Sequence, residues 1–257
     1  MTYQNLRVEE ASYTITITFN REEQRNSITH SLLQELNHVL DQIEVNPNCK
    51  IVLLKAEGEI FCSGFDLKEL AIMFLDNATT ELQGQTTLYM ATLKRLTTFP
   101  KVVVTLINGK VMAGGLGFVA ASDIAIATRK AFFSLPEGLW GLLPAMVSVY
   151  LIRRIGFQKT YALALTTQTL DAEEAERIHL VDAVVVEPTE YLAKLQEKLN
   201  RLDLESIQKM KRYFQSAYPI NEKLEQKALE ESTELFLDAK VQVNIRNYVE
   251  KGQYPWK

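Results

Sequence analysis

The sequence predicts a mixed α/β fold, a mainly parallel sheet core followed by a helical C-terminal part. Segments patterned as strands alternate with segments patterned as helices through the first 187 residues, the order that builds parallel sheets. Two of the strand segments, Ile51–Ala56 (IVLLKA) and Val102–Ile107 (VVVTLI), are nearly continuous apolar runs, as in strands covered on both faces. The last 60 residues carry helical periodicity and no strand pattern.

Residues 13–19 (YTITITF) alternate and are β-rich, which predicts a strand with Ile15, Ile17 and Phe19 on one face. Thr29 is placed to cap a helix whose apolar set is Leu32, Leu33, Leu36, Val39, Leu40 and Ile43, ended by Asn46-Pro47. After the strand Ile51–Ala56 comes a loop with Gly58 and Gly64, then a helix from about Leu67. A further helix is expected over residues 81–98, closed by Phe99-Pro100. The strand Val102–Ile107 leads into NGKVMAGGLG and a small-residue segment ending at Ser122, and Ile124–Thr128 forms the next strand. Helices are expected over residues 144–155, 159–166 and 171–178, a strand over 181–186, and long amphipathic helices over 189–249.

At 257 residues with 47 % hydrophobic and 23 % charged content, the chain can bury a full core without a metal or disulfide staple. A net charge of −4 gives no general attraction to nucleic acid or anionic membranes. Cys49 and Cys62 are too few for a disulfide framework and fit a reducing compartment. The scattered His30, His38 and His179 offer no metal-ligand spacing. The first ten residues lack the apolar stretch of a signal peptide. The longest uncharged run, residues 111–122, is 12 residues, short of the roughly 20 of a membrane helix. A soluble, cytoplasmic protein is expected. The Asn77-Ala-Thr79 sequon is then without consequence.

Three segments carry candidate chemistry. Phe61-Cys62-Ser63-Gly64-Phe65-Asp66-Leu67 is a glycine turn between strand and helix. N–H groups at a helix start are unpaired, so that of Phe65 is a candidate oxyanion donor; an ordinary strand-to-helix loop accounts for the same letters. In Met112-Ala113-Gly114-Gly115-Leu116-Gly117 the paired glycines admit a ligand to bare backbone, with the Gly114 N–H as a second donor. Two converging donors make an oxyanion hole worth several kcal/mol, while close helix–sheet packing also needs small residues. In Leu135-Pro136-Glu137-Gly138-Leu139-Trp140 a carboxylate lies among apolar residues with no neighbouring cation. Burial would raise its pKa and suit it to moving a proton, against the alternative of a solvated turn.

Other readings fit less. Gly115-Leu-Gly117-Phe-Val-Ala120 matches G-x-G-x-x-A, but six residues separate it from the preceding strand, and the next strand ends at Thr128-Arg129 without the acid a ribose needs. Ser63 lacks the G-x-S-x-G elbow, and Cys62 reads as a small apolar filler.

These segments, with Asn26-Ser27, Asn108-Gly109, Leu143-Pro144 and residues 172–185, resemble the crotonase (enoyl-CoA hydratase/isomerase) superfamily across nearly the whole chain. The resemblance implies a crotonase-like spiral of repeated strand-strand-helix units with a C-terminal helical module, taken as a core over 1–199 and a trimerisation module over 200–257. It also implies a homotrimer or a dimer of trimers. Carried over by position, the oxyanion donors fall on Phe65 and Gly114 and one catalytic carboxylate on Glu137. Ser63, Gly64, Asp66, Gly115 and Trp140 follow as substrate-binding positions. The partner carboxylate of the hydratases falls on Gly117, a departure that removes the usual handler of water.

The chain is similar in particular to the dehydratases of bacterial polyketide β-branching cassettes. Their substrates ride on the phosphopantetheine of an acyl carrier protein, with no metal or separate cofactor. That resemblance implies dehydration of a 3-hydroxy-3-methylglutaryl thioester to 3-methylglutaconyl. The group that protonates the leaving hydroxyl stays open among Asp66, Tyr89, a water and the substrate's own carboxylate. Arg21, Arg25, Lys55 and Lys68 are candidate phosphate contacts. Rival readings are a Δ3/Δ2-enoyl-CoA isomerase, a simple enoyl-CoA hydratase, the decarboxylating sister enzyme, and a non-catalytic thioester- or carrier-binding module.

Overall fold

The computed structural model describes residues 3–76 and 78–256; Asn77 of the sequon lies outside them. In chain order the elements are β1 (Leu6–Ala11), β2 (Thr14–Phe19), α1 (His30–Val45), β3 (Ile51–Ala56), β4 (Ile60–Cys62), α2 (Leu67–Leu75) and α3 (Thr79–Thr98). Then follow β5 (Val102–Ile107), β6 (Lys110–Met112), α4 (Gly115–Ala121), β7 (Ile124–Thr128), β8 (Phe132–Ser134) and α5 (Glu137–Trp140). The chain continues through α6 (Ala145–Ile155), α7 (Phe157–Thr166), β9 (Thr169–Asp171), α8 (Ala172–Arg177) and β10 (Ala183–Val185). It closes with α9 (Pro188–Asn200), α10 (Leu204–Ala217), α11 (Glu222–Leu237) and α12 (Ala239–Lys251).

A strand-strand-helix unit repeats. There is a six-stranded sheet ordered β1-β2-β3-β5-β7-β10 and a four-stranded sheet ordered β4-β6-β8-β9. In the three turns that begin at β3, β5 and β7 the first strand joins the larger sheet and the second the smaller, whereas β1 and β2 both lie in the larger. The larger sheet is parallel except where β1 meets β2, and the smaller is parallel except where β8 meets β9. The apolar runs of β3 and β5 are explained by burial on both faces. Val52, Leu54 and Val103 point into the main core, whereas Ile51, Leu53, Val102 and Val104 meet Ile207 of α10 and the apolar side of α9.

In α1 the Thr29 hydroxyl accepts from Leu32 N at 3.2 Å, and the buried set is Leu32, Leu33, Leu36, Val39, Leu40 and Ile43. That cap and stripe are the ones the periodicity predicts. Five strands escape the pattern. β4, β6, β8 and β9 have three residues each, too few to show a period of two. β1 is an edge strand whose Glu9 and Glu10 face solvent. The helix expected from Asp171 begins one residue later, because Asp171 is its cap, in a reciprocal box with Glu174. The C-terminal helices fold back on the front of the chain. Phe236 of α11 and Val241 and Ile245 of α12 share a buried cluster with Leu70, Ala71 and Phe74 of α2. Among the described residues no helix is long and apolar enough to cross a membrane.

Candidate active site

The segments singled out for chemistry follow three adjacent parallel strands. β4 pairs with β6 and β6 with β8, so the turns after Cys62, Met112 and Ser134 emerge side by side at one sheet edge. Ligand sites in parallel sheets lie at such carboxyl ends.

The first two turns touch. Gly64 sits at φ +85°, and a Cβ there would lie 2.8 Å from the Ala113 Cβ and 3.2 Å from the Gly114 nitrogen. Both the left-handed backbone and the close approach therefore require glycine. Ile28 N donates to Gly64 O at 2.8 Å, and Asp66 N donates to Ile28 O at 3.0 Å. The Phe65 N–H between them has no acceptor among the described residues, and neither has the Gly114 N–H. Two unpaired backbone donors on abutting turns form an anion-binding pair.

Asp66 fixes the first turn. It caps α2 by accepting from Lys68 N at 3.0 Å and Glu69 N at 3.2 Å, and it also accepts from Ser27 Oγ at 2.6 Å. Arg21 Nη2 stands 3.5 Å from the same carboxylate. Arg21 thus serves this turn rather than an outside phosphate.

Glu137 opens α5 on the third turn. It is 9 % exposed and its Oε2 has no hydrogen-bond partner. Burial without a compensating cation pushes its pKa up to about 8. A desolvated carboxyl with one oxygen unpaired, lining the same cavity as two free N–H donors, is equipped to take a proton from a carbon next to a carbonyl.

Tyr89 of α3 completes the interior. Its hydroxyl donates to Gly114 O at 2.5 Å, and its ring meets Phe65 edge-on at 5.1 Å. Burial raises its pKa well above that of a free phenol. A Cβ on Gly117 would overlap the Tyr89 hydroxyl and lie 2.8 Å from Leu93 Cδ1. A side chain at position 117 would have to displace the Tyr89 hydroxyl and Leu93.

These groups face a cavity of about 840 Å³. Ser63, Phe65, Asp66, Gly114, Glu137 and Trp140 line it, as do Tyr89, Arg25 and Lys68. Gly64 and Gly115 stand behind the wall. A Cβ on Gly115 would come within 2.6 Å of Cys62 O, so this glycine serves helix–strand packing. Cys62 is buried, and desolvation holds its thiol at about 12, which fits an apolar filler. Lys55 does not line the cavity.

Sequence reasoning missed the far wall, made by Ser232, Phe236, Tyr248, Tyr254 and Trp256. Trp140 packs edge-on against Tyr248 at 5.1 Å and Trp256 at 5.3 Å. Ser232, Phe236 and Tyr248 lie on two C-terminal helices and Tyr254 and Trp256 beyond them, far in sequence from the three turns, so nothing in the letters joins them to the site. Among the described residues no three His, Cys, Asp or Glu side chains gather as a metal site.

The profile of the enoyl-CoA hydratase/isomerase family matches residues 9–257. The chain belongs to that family. It is 38 % identical, over 100 % of its length and 98 % of the relative's, to the bacillaene synthase dehydratase PksH of Bacillus subtilis. The crystal structure of a polyketide-biosynthesis enoyl-CoA hydratase, PksH of B. subtilis, superposes with a TM-score of 0.89 at 36 % identity, covering 99 % of this chain and 100 % of that one. A 4-chlorobenzoyl coenzyme A dehalogenase of an Arthrobacter species is 31 % identical over 71 % of this chain and 67 % of its own. The crotonase-type spiral and an enzyme of the hydro-lyase class are thereby established.

Proposed function

We propose that this enzyme removes water from a 3-hydroxy-3-methylglutaryl thioester on the phosphopantetheine arm of an acyl carrier protein, giving the 3-methylglutaconyl thioester in polyketide β-branching. The observation that carries the reading is Glu137, a desolvated carboxyl with an unpaired Oε2 in the wall of the cavity that Phe65 and Gly114, with their free N–H groups, also line. Similarity to PksH along the whole chain supports the polyketide setting.

In this scheme the two N–H groups hold the thioester oxygen and stabilise the negative charge that develops there. Ionised Glu137 takes the C2 proton, the electron pair forms the C2–C3 double bond, and the C3–O bond breaks. The departing hydroxide needs a proton to leave as water. Asp66 is committed to accepting four contacts and the Tyr89 proton to Gly114 O. Among the described residues Glu137 is the one buried carboxyl in the wall with an unpaired oxygen, and in this scheme it returns the proton to the hydroxyl. One carboxyl then serves both transfers, and no second one is needed at Gly117. Arg25 and Lys68 stand in the same wall as candidate contacts for the pantetheine phosphate. Assembly into trimers belongs to the same proposal; the exposed row Phe157, Tyr161 and Leu165 on α7 supports self-association.

A Δ3/Δ2-enoyl-CoA isomerase would use the same single carboxyl to carry a proton from C2 to C4. Intact-mass spectrometry of the loaded carrier protein separates the two. Loss of one water on incubation is the expected result. An unchanged carrier together with turnover of 3-enoyl-CoA would replace this reading with the isomerase.

A further inference from the structure

The cavity wall holds two buried side-chain atoms with no protein partner, Glu137 Oε2 and Ser232 Oγ. The first is assigned to proton transfer; the second has no role in that chemistry. Ser232 lies on α11, in the stripe Glu225, Ala228, Ser232 and Phe236 that the helix buries. A buried hydroxyl within a helix ordinarily donates to the carbonyl one turn back. Thr86, Thr92, Thr97 and Thr160 do so, at 3.2, 2.7, 3.0 and 2.9 Å, and Thr233 next door donates to Leu229 O at 2.8 Å. Glu225, the other polar member of the stripe, is paired with Lys94 and Tyr150. Ser232 alone in that stripe is polar, 4 % exposed and unpaired, and it lines the cavity.

We infer that Ser232 is the specificity residue for an oxygen carried on the acyl chain beyond C3, its hydroxyl donating to that oxygen. This rests on the acyl-thioester reading above. Around Ser232 the α11 wall continues as Leu235 and Phe236, and Phe236 meets the Phe65 ring at 6.1 Å, which joins this wall to the oxyanion turn. The hydroxyl is already buried and unsatisfied, and a hydrocarbon chain filling the cavity would leave it so, at a continuing cost. A chain ending in a carboxylate pairs with it. Sites built around one such bond discriminate strongly against isosteres that lack the oxygen. Of the acyl classes open to the family, those with a terminal carboxylate are therefore favoured over plain fatty acyl groups.

The test is equilibrium binding to the Glu137→Gln protein, which holds substrate without turning it over. Two pantetheine thioesters are compared, 3-hydroxy-3-methylglutaryl and its isostere 3-hydroxy-3,5-dimethylhexanoyl, in which methyls replace the carboxylate oxygens. The carboxylate form is expected to bind more tightly, and adding Ser232→Ala should cut that preference about tenfold or more, the size of a hydrogen bond to a charged group. Ser232→Cys, close in size and a weaker donor, should fall between. Equal binding of the two thioesters, or a preference unmoved by Ser232→Ala, overturns the assignment while leaving the thioester reading intact. Binding of neither thioester overturns both.

Discussion

The Tyr89 hydroxyl fills the space into which a side chain on Gly117 would grow, and from there it donates to Gly114 O at 2.5 Å. Gly117 is thus part of a packed arrangement with the Tyr89 hydroxyl and the Gly114 turn. Gly117→Ala should destabilise the protein by roughly 1–3 kcal/mol through overpacking. Removing the hydroxyl makes room, so Tyr89→Phe with Gly117→Ala should be less harmful than the two single costs added together. Chemical denaturation of the four proteins checks this; strict additivity would show that the hydroxyl is not what meets position 117.

Catalysis should follow the ionisation of Glu137. The carboxyl must be charged to take the C2 proton, and burial places its pKa at about 8. Below that value kcat/KM should climb about tenfold per pH unit and then level off. A pH profile of dehydration reads this directly, and a plateau reaching down to pH 5 would contradict it.

The same burial has a stability signature. The folded pKa of Glu137 lies above its ordinary value of 4.5, so the folded state binds more protons than the unfolded chain between those limits. Its contribution is fully present below pH 4.5 and is lost as pH rises to about 8. Glu137→Gln removes that loss. Its melting temperature relative to the parent should therefore rise across that window and stay level above it.

Asp66 holds the turn that carries the Phe65 donor, through its cap of α2 and its contacts to Ser27 and Arg21. Asp66→Ala removes the α2 cap and the contacts to Ser27 and Arg21, which should cost about 1–2 kcal/mol or more. Asn is also a good cap, so Asp66→Asn should recover most of the stability. Both thermal melts and kcat/KM should order as parent, Asn, Ala.

Much of this was legible in the sequence where periodicity is long or backbone demands are strict. The stripe of α1, the two-sided burial of β3 and β5, and the turns at Phe65, Gly114 and Glu137 all leave marks on the letters. The three-residue strands that align those turns leave none, because register in so short a segment is set by neighbours that are distant in sequence. The reversal of α11 and α12 onto α2 was hidden for the same reason. Phe236 and Tyr248 look like core until the cavity beside them is seen. Gly115 misleads in the opposite sense, since close packing on Cys62 asks for the same small residue that a ligand would.

The central claim is that Glu137 moves the proton at C2. Single-turnover dehydration of 3-hydroxy-3-methylglutaryl carrier protein by the parent and by Glu137→Gln tests it most directly. The rate should fall by about 10²- to 10⁴-fold or more in the variant, with the loaded carrier protein still bound. A variant that loses water from the substrate at nearly the parental rate would contradict the account.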